Sequence, residues 1–357
     1  MATATVASRQ HGWDEKGPRA GSSMEDPYTQ LRGRYEPGEA CVLFDAKHMA
    51  YRAFHTRELS DAEGRDTSAL HGMLSIIQSV CQAAQTQRFI LVWDGSVDYK
   101  RKAHPAYKCR HDRDRSPEEQ ERHERMVESV KLARKAFDDI GAPQAFCHDL
   151  EADDVAGLLT TMLESVREKV LLVSDDKDWY QLLSPKTCIF RGVVGQLVDE
   201  ARFVSEFQFP PASYVDFKAL VGEGAAGDNI PKVPGIGDVW GMKFIAAHGS
   251  VKAAQEFCRQ RVGDGKAIAK EAAIASHGDT IKLAYKLSKI VRTGDELTKT
   301  WGFDVKRAAM IGSDLARAIQ AMEPRPARMS KLLSVWSRHQ IASIDCREWA
   351  RDCGFQS

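Results

Sequence analysis

The sequence predicts an α/β protein built on a largely parallel sheet, and three patterns lead to that reading. Short apolar runs ending in an acid recur, as CVLFD over 41–45 and RFILVWD over 88–94. Between them Leu70, Met73, Leu74, Ile77, Cys81 and Ala84 repeat at helical spacing. The same alternation of strand-like and helix-like segments then continues to about residue 190. Strands separated by helices pair in parallel, because the helix carries the chain back to the starting edge.

Residues 1 to about 38 are rich in Gly, Ser, Pro and charge without apolar periodicity, which predicts a flexible tail. Order is expected from 41–45, the first strand, followed by the helix over 70–84 and the second strand over 88–94. QAFC (144–147) reads as a third strand. It precedes a helix from about Asp153 whose apolar stripe is Val155, Leu158, Leu159, Met162 and Val166. VLLVS (170–174) and TCIF (187–190) read as the fourth and fifth strands. From about 205 the chain reads as helical, with one Gly/Pro-rich interruption, GEGAAGDNIPKVPGIG, over 222–237.

Composition narrows the class. The chain has 357 residues, 43% hydrophobic and 28% charged, in the range of soluble globular proteins. No apolar run approaches the roughly 20 residues that span a bilayer, and the start, MATATVASRQHGWDEKG, lacks a secretory h-region. Eight cysteines are scattered without a CxxC pair, as expected of free thiols in a reducing cytoplasm. A net charge of zero argues against a purely electrostatic nucleic-acid binder. The charges are segregated, however: Lys100 to Arg115 holds seven Lys or Arg against two Asp.

The acids carry the functional argument. In parallel α/β sheets ligands collect beyond the carboxyl ends of the strands, and Asp45, Asp94, Asp176 and Asp178 all follow predicted strand ends. EADD (151–154) adds Glu151, Asp153 and Asp154 at a helix start. Taken singly, each has an ordinary explanation as a helix cap or polar loop. Together they form a carboxylate cluster whose members repel unless cations lie between them. Hard divalent ions prefer oxygen ligands, and two such ions about 4 Å apart suit hydrolysis of a phosphodiester.

Five stretches resemble, in order, the motifs of the flap-endonuclease-like 5′-nucleases, the family of the 5′-nuclease domain of bacterial DNA polymerase I and of bacteriophage 5′-exonucleases. They are FDAKHMAYRAFH (44–55), WDGSVDYKRKAHPAYKCRHDR (93–113), LEADDVAG (150–157), VSDDKDWYQLL (173–183) and GDNIPKVPGIG (227–237). The resemblance implies a PIN-like, Rossmann-like core over 39–204 with a helical arch at about 98–140. It also implies a helix–three-turn–helix DNA-binding region over 205–300, leaving a C-terminal helical extension over 301–357. It implies two Mg²⁺ or Mn²⁺ ions, with Asp45, Asp94, Glu151 and Asp153 holding the first. Asp154, Asp176, Asp178 and Asp228 would serve or support the second. Lys108, Tyr107 and Arg52 are placed near the scissile phosphate, and Asp175 is left out of the metal set.

One departure concerns 222–229, GlyGluGlyAlaAlaGlyAspAsn, where the family reads Gly-Asp-x-x-Asp-Asn. Aligned without a gap, Ala225 replaces an acid and a ligand is lost. With a two-residue insertion, Glu223 replaces it, and the match over 218–223 favours this. Phosphate contacts are expected from Lys100, Arg101, Lys102, Lys108, Arg110, Arg113, Lys232 and Lys243, with close backbone approach at Gly235 and Gly237. The glycine-rich turn is also expected to take K⁺, and Tyr99 and Tyr107 to stack on bases. The expected activity is 5′→3′ exonuclease and flap endonuclease action on DNA with 5′ ends, flaps or junctions, by a cytoplasmic, stand-alone, monomeric protein of a bacterium or bacteriophage. The alternatives are a catalytically weakened junction binder and a PIN-type ribonuclease.

Overall fold

A computed structural model describes residues 26–109, 115–224, 227–322, 325–326, 329–341 and 343–356. The chain order is β1 (Ala40–Asp45), α1 (Ala46–Thr56), α2 (Ser68–Ala83), β2 (Phe89–Trp93), α3 (Asp98–Ala103), α4 (Pro117–Ile140), β3 (Gln144–Phe146), α5 (Ala152–Ser165), β4 (Lys169–Val173), β5 (Thr187–Arg191) and β6 (Gln196–Val198). Helices follow: α6 (Glu200–Phe207), α7 (Tyr214–Val221), α8 (Asp238–His248), α9 (Val251–Gly263), α10 (Ala269–Ser276), α11 (Gly278–Ser288), α12 (Gly294–Trp301) and α13 (Val305–Gln320). The chain finishes with β7 (Arg325–Pro326), α14 (Met329–Arg338), α15 (Cys346–Asp352) and β8 (Phe355–Gln356).

Six strands form the main sheet in the order β3-β2-β1-β4-β5-β6, parallel except for β6, which runs antiparallel to β5. The chain builds outward from β1 to β3, then returns to lay β4 on the other side of β1. That reversal makes β1/β4 the switch point, where helices diverge and a crevice opens beyond the strand ends. The strands are apolar on both faces because helices cover both. Along β1, Cys41 and Leu43 enter one core while Ala40, Val42 and Phe44 enter the other. Ile90 and Val92 of β2 likewise oppose Phe89, Leu91 and Trp93.

The first face carries α5 and the helices from α7 to α13; the second carries α1, α2, α4, α14 and α15. The C-terminal extension therefore belongs to both. Helix α13 packs on α5 and on the edge strand β3, and the chain then passes to the second face, where α14 contacts α4 and α15 contacts α2. Trp349 is fully buried there and its Nε1–H donates to the Leu74 carbonyl at 3.0 Å. Gln78 and Gln82 of α2 both donate to Asp352.

Several expectations need correcting. Order begins at least by Asp26: Leu31 and Tyr35 are buried in the second core and Tyr28 packs on Phe190, so the tail expected over 1–38 is too long. The cause is that 26–38 forms turns, which have no apolar period to read. Val166 is 65% exposed rather than part of the α5 stripe, because α5 ends at Ser165 and Val166 is its cap. The edge strand β6 and the two-residue pair β7–β8 go unforeseen, being too short for a period-2 pattern. No described helix is long and apolar enough to cross a membrane. Trp349→Ala is expected to lower stability by about 3–5 kcal/mol, read as a reduced urea midpoint; an unchanged midpoint would show that the extension adds nothing to the core.

Candidate active site

The crevice is built by residues placed just past strand ends. Asp45 closes β1 and caps α1, accepting from the His48 amide at 3.1 Å. It also accepts from Ser174 Oγ at 2.8 Å, and that hydroxyl in turn accepts from the Asp176 amide. Ser174 thus joins the acid after β1 to the acids after β4, straight across the switch point. Asp94, after β2, accepts from the Ala152 amide at 2.9 Å and pairs with Lys47 at 3.1 Å. That bond fixes the start of α5 and with it Glu151 and Asp153. Trp179 lies in the 3₁₀ turn Lys177–Leu182, and its Nε1–H donates to Asp153 Oδ1 at 2.7 Å.

Glu151 is buried between two lysines. Lys100 Nζ lies 2.7 Å from its Oε2, Lys108 Nζ donates to Oε1, and the Tyr107 hydroxyl donates to Oε2 at 3.1 Å. Burial alone would raise its pKa, but Lys100 and Lys108 outweigh it and hold the group down at about 2. Asp153 has no such partner: burial and the neighbouring Asp176 charge push it well above the carboxylate range. Asp45 is raised by burial, with Asp94 adding to the shift. Asp176 is pushed up to about 7 by the protein packed around it and by Asp178, although its outer edge meets solvent. Asp228 is raised by burial, opposed by Lys108.

Asp178, Glu223 and Asp228 converge, with one oxygen of each within 4.8 Å of the others. Among the described residues they are the group of three that gathers this closely. Glu223 thus lies beside Asp178 and Asp228, the neighbours that the inserted alignment expects for it. The first expected set, Asp45, Asp94, Glu151 and Asp153, surrounds the same crevice but is more open, since Glu151 turns to its lysines and Asp94 to Lys47. Clustered carboxylates, several of them raised mainly by burial, and an all-oxygen donor set fit a hard divalent cation. Asp178 Oδ1 is buried beside the Lys218 ammonium, at 3.0 Å, and so already faces a cation.

Asp154 does not face the crevice. It is fully buried, its Oδ1 accepts from the Val291 amide at 2.7 Å, and its Oδ2 accepts from the Tyr99 hydroxyl. The residue next to Asp153 on a helix necessarily points about 100° away, so Asp154 anchors the 290–291 segment to α5. Lys100 is 3% exposed and held between Glu151 and Asp154, which removes it from the phosphate contacts. Arg101 donates to the carbonyls of Tyr107 and Lys108 and so shapes that turn. Tyr99 and Tyr107 are buried, with hydroxyls on acids, so neither ring offers a face to a base.

The turn bearing Lys108 is tied to the glycine-rich segment. The Lys108 amide donates to the Asp228 carbonyl at 2.9 Å and Asn229 Nδ2 donates to the Ala106 carbonyl at 2.9 Å. Lys108 adopts a positive φ of 54°, a strained conformation for a side-chain-bearing residue. These bonds over-determine it and aim its ammonium between Glu151 and Asp228, at 3.5 Å from the latter. Lys102, Lys232, Lys243, Gly235 and Gly237 are all exposed, and a Cβ at either glycine would meet nothing within 4 Å. Arg110 and Arg113 lie outside the described residues. Arg52 points to Asp175, with Nη1 at 4.0 Å, and shares that acid with His48 at 3.4 Å. Asp175 also accepts from the Val193 amide, in keeping with its omission from the metal set. Sequence reading missed Lys47, Ser174, Trp179 and Lys218, whose partners Asp94, Asp45, Asp153 and Asp178 lie far off in the chain, although Lys218 also pairs with nearby Glu223. Of these, Ser174 had a signal, its place at a strand end.

Residues 40–208 match the family described as 5′-3′ exonuclease, N-terminal resolvase-like domain. The thermostable DNA polymerase I of Thermus filiformis is 30% identical over 226 residues, 63% of this chain and 26% of that protein. The chain thus spans about a quarter of that relative's length. A 5′-3′ exonuclease of Buchnera aphidicola subsp. Acyrthosiphon pisum is 28% identical over 199 residues, 55% of this chain and 66% of its own. The fold is shared with T5 5′-exonuclease carrying bound zinc, at a TM-score of 0.65 and 21% identity, over 78% of this chain and 99% of that one. It is shared also with the bacteriophage T5 D15 flap endonuclease in a complex with DNA and metal ions, at a TM-score of 0.62 and 21% identity, over 79% and 99%.

Lys100→Met is expected to destabilise the metal-free protein by about 3 kcal/mol, because Glu151 and Asp154 stay buried with less compensation. Lys102→Met, on the exposed side of α3, should change stability by no more than about 0.5 kcal/mol. Equal denaturant midpoints for the two variants would refute the internal role given to Lys100.

Proposed function

We propose, from its likeness to the flap-endonuclease-like 5′-nuclease family, that the chain hydrolyses DNA phosphodiester bonds at 5′ ends and flaps with the help of two divalent ions, Mg²⁺ or Mn²⁺. The observation that carries the reading is the convergence of acids from five separate segments on the β1/β4 crevice, with Asp178, Glu223 and Asp228 closest together. Asp45, Asp94, Glu151 and Asp153 would hold one ion; Asp178, Glu223 and Asp228, with Asp176 beside them, would hold the other. When bound, such ions lower the pKa of a ligated water and neutralise charge on the phosphate oxygens.

The chain's own residues would do the rest. Ser174 and Trp179 orient Asp45 and Asp153, and a carboxylate fixed in this way keeps a defined lone pair turned to the crevice. Lys108, at the mouth between Glu151 and Asp228, is placed to meet a phosphate oxygen of the strand being cut. Tyr107 supports Glu151 and acts through it. Lys102, Lys232 and Lys243, with the open backbone at Gly235 and Gly237, suit the phosphates of the flanking duplex, and a K⁺ ion at that glycine-rich turn is part of the same proposal. None of these groups reads a base edge, so recognition would follow the shape of a 5′ end or junction. The protein would act as a monomer in a bacterial or phage-infected cell.

Asp45→Ala and Asp153→Ala are each expected to reduce cleavage of an end-labelled 5′-flap duplex by about a thousandfold or more in Mg²⁺, with binding to the same duplex retained. Full activity in both variants would overturn the assignment. Binding by the wild-type protein without cleavage at any Mg²⁺ or Mn²⁺ concentration would leave a junction-binding protein. Faster cleavage of the matched RNA flap would make it a ribonuclease.

A further inference from the structure

Lys218, on α7, occupies an unusual position among the cations of the crevice. Its ammonium lies 3.0 Å from Asp178 Oδ1 and 3.0 Å from Glu223 Oε2. These acids, with Asp228, are the three whose oxygens gather within 4.8 Å. The place where a second divalent ion would sit therefore already has a cation on a tether.

The fit of that ammonium is incomplete. Glu223 accepts a hydrogen bond from Lys218 Nζ. Asp178 Oδ1 is buried and 3.0 Å from the ammonium, but that contact is poorly angled for a hydrogen bond. Asp228 lies nearer to Lys108, at 3.5 Å. One ammonium with three N–H directions thus serves two of the three acids, and one of those poorly. A small ion with no directional preference would satisfy all three. Glu223 sits where its shorter homologue is usual, and a Cβ at Gly227 would overlap its carboxylate, so the turn closes tightly over it. The longer side chain can reach the ammonium and still face Asp178 and Asp228.

We propose, building on the two-ion reading above, that Lys218 is a built-in occupant of the second acidic set, which holds Asp178 and Glu223 together in the metal-free protein and must be displaced when a divalent ion enters. A divalent ion and an ammonium drawn to the same oxygens repel one another at that distance, and the flexible four-carbon stem of a lysine allows its ammonium to swing aside. Lys218 is then a positioning residue that weakens the second ion's affinity and makes its binding and release reversible.

The test is a Mn²⁺ titration of the DNA-free protein, with free Mn²⁺ followed by electron paramagnetic resonance. Wild type should show two classes of site. In Lys218→Met the weaker class should tighten by about tenfold or more, and in Lys218→Arg it should stay weak. A weaker class unchanged or further weakened in Lys218→Met would overturn the proposal. Should the metal-free Lys218→Met chain not fold, wild type carries the test. The ¹³Cε signal of Lys218, assigned by its absence in Lys218→Arg, should move on saturation with Mg²⁺, and an unmoved signal would overturn the displacement. A single class of site in every protein would remove the two-ion reading along with the proposal, and stoichiometry distinguishes that result from the others.

Discussion

Buried ion pairs between lysines and the clustered carboxylates are the constraint on which the rest of this structure depends. A parallel sheet directs the acids that follow its strands toward one edge, where burial first and neighbouring acids second raise the pKa values of Asp45, Asp153 and Asp176. Left uncompensated, repulsion among these acids would oppose closure of the crevice. Lys100 and Lys108 clasp Glu151, and Lys218 clasps Asp178 and Glu223. Replacing a buried ion pair by apolar groups can be neutral or stabilising, so stability alone does not explain these pairs. They keep Glu151 ionised and hold the other carboxylates in place where an apolar packing would leave nothing to hold a cation.

The same lysines couple parts of the chain that are otherwise separate. Glu151 opens α5, Lys100 and Lys108 flank the turn after α3, and Asp228 belongs to the glycine-rich segment more than a hundred residues on. A backbone bond from the Lys108 amide to the Asp228 carbonyl and a side-chain bond from Asn229 Nδ2 to the Ala106 carbonyl fasten that turn to the segment. A displacement of either would therefore move the Lys108 ammonium relative to the crevice. The strained φ of Lys108 and the clamp of Arg101 on its carbonyl are the local cost of aiming it there.

Much of this was legible in the sequence, for definite reasons. Strands β1, β2, β4 and β5 are apolar on both faces, and their ends locate Asp45, Asp94 and Asp176 without reference to any long-range contact. Motif order then supplied Glu151, Asp153 and Asp228, and the spacing before 223 supplied Glu223. What escaped was orientation. Spacing along a helix places Asp153 and Asp154 side by side, but only packing shows that one faces the crevice and the other the Val291 amide. A run of basic residues reads as a phosphate-binding surface, yet Lys100 and Arg101 turn inward because acids and carbonyls await them there. The lysine at 218 opens the stretch whose match placed Glu223, yet nothing there marked it as the partner of Asp178, which meets it only in three dimensions.

That difference between position and orientation also reverses the ranking of the two acidic sets. By motif the first set is complete and the second is altered; by geometry the second is the more tightly gathered, and the first has two members turned to lysines. A complete list of ligands therefore does not make a preformed site. Glu151 can serve a metal only if Lys108 yields it. In the function proposed above, a phosphate at the mouth of the crevice would offer Lys108 new negative charge and draw it away. Arrival of the nucleic acid and completion of the first set would on this basis favour one another, by reciprocal coupling through a single ammonium. Lys100 would remain behind, fully enclosed, as the partner that keeps Glu151 ionised throughout.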